Sequence, residues 1–295
     1  MTHAAATAER DSASDLAHQP WDAAAAGWNQ HGDLIHEWLK PVTQSMLDDS
    51  RIGLGSRVLD VAAGAGDQTL DIARRVGTGG WVLATDVAPA ILTLAQKNAE
   101  AAGLRQVRTQ VADAESLGLA GSDFDAAVCR LGLMFCCSPL AALQCIRAAL
   151  RPQGRFSALV FGRPERNPCL AIAFATARQH AGLAEVSATS IAWALEKGSL
   201  MSLGKPGLLE ELLQTAGFVD VAVLYAAAPF YASSAAHYVD FLRASASPLI
   251  EILAPLSSAA QQSAWDDMTQ RLQVFDTTAG WFGPNELLQC VATQP

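Results

Sequence analysis

Two glycines and a later acid have the clearest chemical implication in this sequence. Residues 59–67 read LDVAAGAGD, with Gly64 and Gly66 two positions apart, and Asp86 follows about twenty residues on. Glycine lets the backbone turn tightly and approach a bound molecule closely. An acid that ends the next strand can accept hydrogen bonds from both hydroxyls of a ribose. The spacing therefore predicts a site for an adenosine-type molecule; the alternative is a plain tight turn and a helix-capping aspartate.

The elements around this turn alternate between short apolar runs and helical stretches. Parallel strands with helices between them produce this alternation, so the sequence predicts an α/β fold with a doubly wound sheet. The predicted strands are residues 57–62, 81–86, 107–112, 124–130, 155–161, 219–227 and 286–293. The predicted helices are residues 68–76, 89–102, 140–150 and 208–216, and a turn is expected at 151–154.

The rest of the chain divides by composition and periodicity. Trp21, Trp28, His31, Ile35 and Trp38 recur at helical spacing, and Pro41 is expected to end that segment. The predicted regions are a disordered tail at 1–20, N-terminal lid helices at 21–50, a ligand-binding core at 51–162, a lid insertion at 163–207, and the remainder of the core at 208–295 with a helical insertion at 229–283.

Charge and cysteine usage exclude several classes of function. The net charge is −9 and no Lys/Arg cluster occurs, which argues against a nucleic-acid partner. The six cysteines form no C-x-x-C pair and have no histidines at zinc-like spacing, so no metal is expected and a reducing compartment is favoured. The N-terminus does not resemble a signal peptide, and no segment has the roughly eighteen apolar residues of a membrane span. A cytoplasmic protein is therefore expected.

The turn favours one adenosine-type cofactor over another. A dinucleotide usually needs a third glycine three residues after the second, and that position is Thr69. S-adenosylmethionine (SAM) has no phosphate, and Asp60 and Asp67 are suitable neighbours for its ammonium group. A nucleotide-dependent oxidoreductase stays open as an alternative.

Five segments in order resemble the motifs of a known family. They are VLDVAAGAGD, ATDVAPAIL, VADAESL, FDAAVCRLGLMF and IRAALRPQGRFSALVFG, within a similarity that covers residues 21–293. The chain resembles class I SAM-dependent methyltransferases, particularly those related to ubiquinone/menaquinone-biosynthesis enzymes. This resemblance implies a Rossmann-like sheet of seven strands with the last one antiparallel.

The resemblance also implies roles for individual residues. Gly64 and Gly66 would lie against the methionine part of SAM, with Asp60 and Asp67 nearby. The further residues expected at the cofactor are Asp86 on the ribose, Val87 on the adenine face, Asp113 with Ala114 at the adenine amino group, and Arg130 with Leu131 at the methionine end.

The acceptor and the chemistry of transfer leave a weaker signal. Methyl transfer needs mainly positioning and exclusion of water, and some acceptors also need a base. His31 is the first candidate base, since the N-terminal helices of related enzymes close over the cofactor; His180 and His237 are further candidates. Trp28 would touch the sulfonium or the acceptor through cation–π attraction. For each of these residues, structural packing is the competing interpretation.

The acceptor is expected to be a small, mostly apolar or aromatic metabolite under the lid. The lid regions are rich in apolar side chains, which either line that pocket or form the core of the lid. They are Trp28, Trp38, Phe174, Trp193, Leu200, Met201, Phe230, Tyr231, Tyr238, Phe241 and Trp265. A protein that binds SAM without transferring its methyl group is the main alternative, and a homodimer is left open.

Overall fold

The computed structural model describes residues 19–183, 194, 196 and 198–295. The predicted tail lies outside these residues up to position 18, and so do Trp193 and most of the central part of the 163–207 insertion. The first helix begins at Gln19, two residues before the predicted start.

Seven strands form one sheet in the order β3-β2-β1-β4-β5-β10-β6. The strands of the described chain are β1 Arg57–Val61, β2 Trp81–Asp86, β3 Val107–Val111, β4 Phe124–Arg130, β5 Leu150–Phe161, β6 Val219–Ala227, β7 Phe230–Ala232, β8 Asp276–Thr277, β9 Gly280–Gly283 and β10 Glu286–Thr293. Only β10 in this sheet is antiparallel to its neighbours, β5 and β6. The predicted Rossmann-like, doubly wound fold with an antiparallel last strand is confirmed.

Strand order determines where a ligand can bind. The chain runs outward from β1 through β2 to β3, then returns to the other side of β1 for β4. The loops after β1 and β4 therefore diverge and leave a crevice at the carboxyl ends of these strands. The strands form here because apolar residues such as Val58, Leu59 and Val128 are completely buried, as expected for central parallel strands.

Ten helices of the described chain accompany the sheets. They are α1 Gln19–Gln30, α2 Gly32–Asp49, α3 Asp67–Val76, α4 Pro89–Ala101, α5 Pro139–Ala149, α6 Pro168–His180, α7 Leu208–Thr215, α8 Ala235–Ser245, α9 Ser247–Leu253 and α10 Ser258–Leu272. None of them is both long enough and apolar enough to cross a lipid bilayer.

Pro41 does not end the N-terminal helical segment. It lies inside α2, which continues to Asp49. A proline in a helix interior removes one hydrogen bond and costs roughly 3 kcal/mol. The helix persists because its apolar face is buried, including Leu39 and Met46.

The segment 229–283 contains strands as well as the predicted helices. Strands β7, β9 and β8 form a small antiparallel sheet, and α8, α9 and α10 lie between β7 and β8. Phe230 of β7, Trp281 of β9 and Tyr238 of α8 form an aromatic cluster, in which the rings of Tyr238 and Trp281 are stacked at 4.2 Å. Trp38 joins this cluster and donates its indole N–H to the carbonyl of Ala228 at 2.7 Å.

Helix α1 contacts two different parts of the molecule. Asp22 accepts a hydrogen bond from the backbone N–H of Ala90 in α4, at 2.9 Å. Farther along α1, a Cβ on Gly27 would lie only 1.7 Å from the backbone oxygen of Ala244 in α8. The missing side chain of Gly27 therefore lets α1 cross α8 at close range.

Candidate active site

A cleft of about 1,480 Å³ lies at the carboxyl ends of β1, β2 and β4. One side, here called the loop side, consists of residues 62–65, 86–87 and 112–116. The opposite side, here called the helix side, consists of the lining residues of α1 and α2 together with residues 131, 132 and 135–137.

Two glycines shape the loop between β1 and α3. Gly64 and Gly66 have φ values of 58° and 91°, a conformation that side chains disfavour. A Cβ on Gly66 would lie 3.0 Å from the Cβ of Ala95, so this loop also passes α4 too closely for a larger residue. The predicted tight turn is therefore present, and residues 62–65 expose their backbone to the cleft.

Asp86 holds this turn from the end of β2. Its Oδ2 accepts the backbone N–H of Gly64 at 2.9 Å, and its Oδ1 accepts that of Ala88 at 3.0 Å. Burial raises the pKa of the Asp86 carboxyl above its usual range, while these backbone hydrogen bonds act in the opposite direction. Because each carboxylate oxygen has two lone pairs, both oxygens can accept a further hydrogen bond from the cleft.

Asp113 lies at the far end of the loop side. Its Oδ1 accepts the backbone N–H of Glu115 at 2.9 Å and so caps a short 3₁₀ turn at Ala114–Ser116. Val87, Asp113 and Ala114 all line the cleft. One apolar surface and one carboxylate therefore lie together, as a purine ring with an exocyclic amine would require.

Asp60 lies beneath the loop. It is completely buried and accepts hydrogen bonds from Gln68 at 3.0 Å and from the Thr69 hydroxyl at 2.5 Å. Desolvation raises the pKa of Asp60 to about 6. Asp60 does not line the cleft within the described part of the chain, so its position indicates support of the loop. Thr69, where a dinucleotide site would have a third glycine, is one of its hydrogen-bond partners.

Three side chains from different elements meet at the inner end of the cleft. Arg130, at the end of β4, donates to Asp67 Oδ2 at 2.6 Å and to Thr43 of α2 at 2.9 Å. His36 of α2 is hydrogen-bonded to the other oxygen, Asp67 Oδ1, at 2.8 Å. Asp67 is therefore shared between a guanidinium group and an imidazole.

The backbone near this network contains two left-handed residues that are not glycine. Ala62 has φ 55° after β1, and Leu131 has φ 58° after β4; both line the cleft. Such conformations cost of order 1–3 kcal/mol and tend to occur at functional sites. A Cβ on Gly132 would lie 2.3 Å from the Cβ of Ala62, so the two loops are in close contact.

Aromatic residues form much of the helix side. Trp21 of α1 packs against Phe135, which follows β4, with 4.8 Å between ring centroids. Trp28 lines the same cleft, and its indole Nε1 is buried without a hydrogen-bond partner among the described residues. A buried donor without a partner is costly, so a bound molecule that accepts this hydrogen bond would be stabilised there.

The histidines named from the sequence lie elsewhere. His31 packs its ring edge-on against Phe241 at 5.6 Å and is not among the described residues that line the cleft. His180 is hydrogen-bonded to Asp267 of α10 at 3.0 Å, and His237 to Ser233 at 3.0 Å. Most of the apolar residues expected around an acceptor, among them Tyr238, pack into the core; of those the structure describes, only Trp28 lines the cleft.

His36 was not predicted as a site residue, although the sequence contained a signal for it. Residues 32, 35, 36 and 39 share one face of α2 at three- and four-residue spacing, and all four line the cleft. The aromatic pattern favours the neighbouring face of α2, which contains Trp38. In the described part of the chain, no three His, Cys, Asp or Glu side chains are grouped to hold a metal ion.

Comparison with known proteins identifies the family. A family model described as a methyltransferase domain matches residues 58–154. The ubiquinone/menaquinone biosynthesis C-methyltransferase UbiE of Coxiella burnetii is 30% identical over 171 residues, which are 56% of this chain and 67% of that protein.

The chain belongs to the class I SAM-dependent methyltransferases.

Solved structures agree on the fold of this methyltransferase. The YcgJ protein of Bacillus subtilis has a TM-score of 0.55 at 16% identity, covering 88% of this chain and 98% of that one. Phosphoethanolamine N-methyltransferase 2 of Haemonchus contortus, solved with SAM, has a TM-score of 0.55 at 15% identity, covering 90% of this chain and 57% of that one. At these identities the likeness concerns the fold alone. The reaction is SAM-dependent methyl transfer, and its acceptor has to be inferred from the cleft.

Proposed function

We propose that this methyltransferase binds SAM along the loop side of the cleft and methylates a small, mostly apolar metabolite held against the helix side. The observation that carries this proposal is that one continuous cleft contains both surfaces. Sites for a single small molecule usually measure about 300–1,000 Å³. The volume of about 1,480 Å³ leaves room for a second molecule beside the cofactor.

The residues of the loop side fit the parts of SAM. Asp86 has acceptor capacity for two ribose hydroxyls, Val87 and Ala114 offer apolar contact to adenine, and Asp113 can accept from its amino group. The loop at Gly64 and Gly66 would lie against the methionine part. When bound, SAM supplies an electrophilic methyl group and leaves as S-adenosylhomocysteine (SAH).

Three further residues would border the methionine end. Arg130 and Leu131 reach it from the end of β4, and Asp67 reaches it from the start of α3. Because Asp67 already binds Arg130 and His36, we expect its contribution to the ammonium group to be shared with backbone carbonyls. Asp60 would act only by supporting the loop.

The charges of the cleft favour a cation and disfavour an anionic acceptor. Both guanidinium groups among the described lining residues are paired, Arg74 with Asp71 at 3.1 Å and Arg130 with Asp67 at 2.6 Å. Phosphorylated acceptors need converging cations that are free to bind them. The carboxylates outnumber these two groups; they are Asp33, Asp67, Asp86, Asp113 and Glu115.

The acceptor would lie next to Trp28, Phe135 and Leu39. Helices α1 and α2, which line the cleft, would form the part of the lid next to the acceptor. In this arrangement Trp28 faces the ligands, its indole N–H donating to one of them or its ring lying near the sulfonium. The predicted base at His31 is less favoured by its position against Phe241.

Two measurements test this proposal. Calorimetry should show binding of SAM and SAH to the wild-type protein. At fixed SAM, product analysis should then show methylation of phenolic or polyketide-like compounds, and not of phosphorylated or macromolecular ones. SAM binding without any transfer would contradict the acceptor proposal, and methylation confined to the anionic or macromolecular set would overturn it.

A further inference from the structure

His36 and Asp67 form a hydrogen-bonded pair inside the proposed acceptor cleft. The Nδ1 atom of His36 lies 2.8 Å from Asp67 Oδ1, and both residues line the cleft. The His36 side chain is 29% exposed, so a molecule in the cleft can reach the ring.

The partner of Nδ1 determines the protonation pattern of the ring. An ionised carboxylate has no hydrogen to donate, so Nδ1 must carry the proton of this hydrogen bond. Arg130 donates to the other carboxylate oxygen, Asp67 Oδ2, so each oxygen of this carboxylate accepts one hydrogen bond. In the neutral imidazole, the lone pair is then on Nε2, which can accept a proton.

The charges around His36 come from three elements. On α3, Asp71 Oδ2 lies 3.9 Å from His36 Nδ1, and Asp71 also pairs with Arg74. On β4, Arg130 is separated from the ring by Asp67. The neighbours on α2 itself are Asp33, Glu37 and Lys40, of which Glu37 and Lys40 pair with each other at 4.0 Å. The carboxylates nearest to the ring would stabilise an imidazolium.

A purely structural role would not need the histidine. Arg130 already connects Thr43 of α2 to Asp67 of α3, so the two helices are joined without His36. The imidazole adds to this connection a titratable group that faces the cleft.

We propose that His36 is the general base of the reaction and that Asp67 orients it, so the acceptor is a metabolite with a weakly acidic hydroxyl, such as a phenol or an enol. This inference rests on the proposed function, because it requires the acceptor to occupy the same cleft. A hydroxyl of this kind is a poor nucleophile until its proton is removed, unlike a neutral amine, which attacks through its own lone pair.

For an acceptor that reacts at oxygen, methyl transfer is coupled to the loss of the hydroxyl proton. The oxygen forms a bond to the methyl carbon as the carbon–sulfur bond breaks, and the electron pair of that bond remains on sulfur. The hydroxyl proton passes to His36 Nε2, giving an imidazolium that Asp67 stabilises. The proton then leaves to solvent, and the ring returns to its starting tautomer.

The first test replaces the base while keeping the hydrogen bond to Asp67. His36→Gln retains an N–H donor but has no titratable nitrogen, and Glu37→Gln is the matched control at the next, exposed position of α2. With 1-naphthol as acceptor, His36→Gln should lower kcat about 100-fold or more and remove the acid limb of the pH profile. SAH affinity and melting temperature should stay at their wild-type values, and Glu37→Gln should behave as wild type throughout.

Comparison with 1-naphthylamine separates a base from a structural residue. The amine has the same shape and should lose little activity in His36→Gln. Equal losses for both acceptors, or an unchanged kcat and pH profile with 1-naphthol, would overturn the inference. If the wild-type enzyme binds no SAH, it is the proposed function that fails.

A second test needs no turnover. In the SAH complex, ¹H–¹⁵N correlation spectra of the histidine rings should show His36 protonated at Nδ1 when neutral, assigned by the loss of its signals in His36→Gln. Asp67→Asn should weaken this preference, because it removes the carboxylate that accepts the hydrogen on Nδ1. A ring protonated at Nε2 would overturn the inference even if neither naphthyl compound is methylated.

Discussion

The loop side of the cleft consists of short segments that each follow a strand, whereas the helix side consists of side chains that reach the cleft from α1, α2 and the residues after β4. On the loop side, Gly64, Asp86 and Asp113 are positioned by backbone hydrogen bonds and turn geometry. On the helix side, Trp28 and His36 are positioned by packing and by contacts between distant segments. We infer that the loop side can bind one fixed cofactor, whereas the side chains of the helix side can vary to suit the acceptor.

The largest effect should come from Asp86 on the loop side. Asp86→Ala removes a carboxylate proposed to accept from two ribose hydroxyls, and each charge-assisted hydrogen bond contributes about 1.5–3 kcal/mol. SAH affinity measured by calorimetry should fall at least about tenfold, with the fold intact by circular dichroism. Unchanged binding in a folded variant would refute the assignment of the loop side.

Asp60 should make the stability of the protein depend on pH, although Asp60 itself contacts no ligand. Its pKa of about 6 is above the unfolded value of 3.8, so the native state binds this proton more tightly. The resulting stability is complete below pH 3.8 and is lost as the pH rises through 6. Relative to Asp60→Asn, wild type should therefore lose up to about 3 kcal/mol of unfolding free energy across this window.

Urea unfolding of both proteins over this pH range measures the difference. The exposed residue Asp240 provides a control, since Asp240→Asn should run parallel to wild type. Parallel curves for Asp60→Asn and wild type would mean that burial does not raise the pKa of the Asp60 carboxyl.

Trp38, which belongs to α2 but does not line the cleft, tests whether a loss of packing behind the helix side leaves the loop side intact. Trp38→Phe removes the indole N–H that binds the carbonyl of the buried Ala228, and leaving such a group without a partner costs about 1–3 kcal/mol. Melting temperature should fall while SAH affinity is retained. A parallel loss of SAH affinity would show that the division between the sides is wrong.

Asp113 should have a smaller, specific effect on the loop side. Asp113→Ala should weaken SAM binding about tenfold through loss of one hydrogen bond to adenine. Asp123→Asn is the control, because Asp123 lies before the amino end of β4, at the opposite edge of the sheet, with φ 57° that asparagine tolerates. Equal losses in a binding titration would indicate general surface charge in place of a specific contact.

Removal of metal ions should change neither cofactor binding on the loop side nor methyl transfer to the acceptor on the helix side. The described residues contain no group suited to hold a metal ion, and methyl transfer as proposed requires only positioning and a base. Activity should survive exhaustive dialysis against EDTA. A loss that Mg²⁺ alone restores would require a metal-bound acceptor.

The sequence predicted the elements that depend on local patterns more accurately than those that depend on contacts between distant segments. Strands β2, β4 and β10 begin and end where predicted, because buried apolar runs between turns give a strong local signal. Strand β6 also has its predicted bounds, although none of its residues is buried. The turn predicted at 151–154 instead lies within β5, as an irregular stretch where Gln153 has φ 64° and binds Gln294 of the chain end. That pairing joins segments far apart in sequence and leaves no local pattern.

Short strands and single polar residues were harder to predict for a similar reason. Strands β7, β8 and β9 have two to four residues each, too few for an alternating pattern. His36 becomes a site residue only because α2 folds back onto the start of α3, thirty-one positions later. The pattern of Gly64, Gly66 and Asp86 could be recognised in the sequence because each of these residues acts at its own strand end or turn.

Helix α1 contacts α4 through Asp22 and crosses α8 closely at Gly27. A displacement of α1 that admits SAM would therefore also loosen the packing of α1 against α8, and α1 contributes Trp28 to the surface proposed for the acceptor. We expect the two ligands to bind with positive cooperativity, since the first one that holds α1 in place lowers the cost of binding the second. Thermodynamic linkage then requires SAH to raise acceptor affinity by the same factor as the acceptor raises SAH affinity. Such mutual dependence would favour an ordered cycle in which release of the last product sets the rate of turnover.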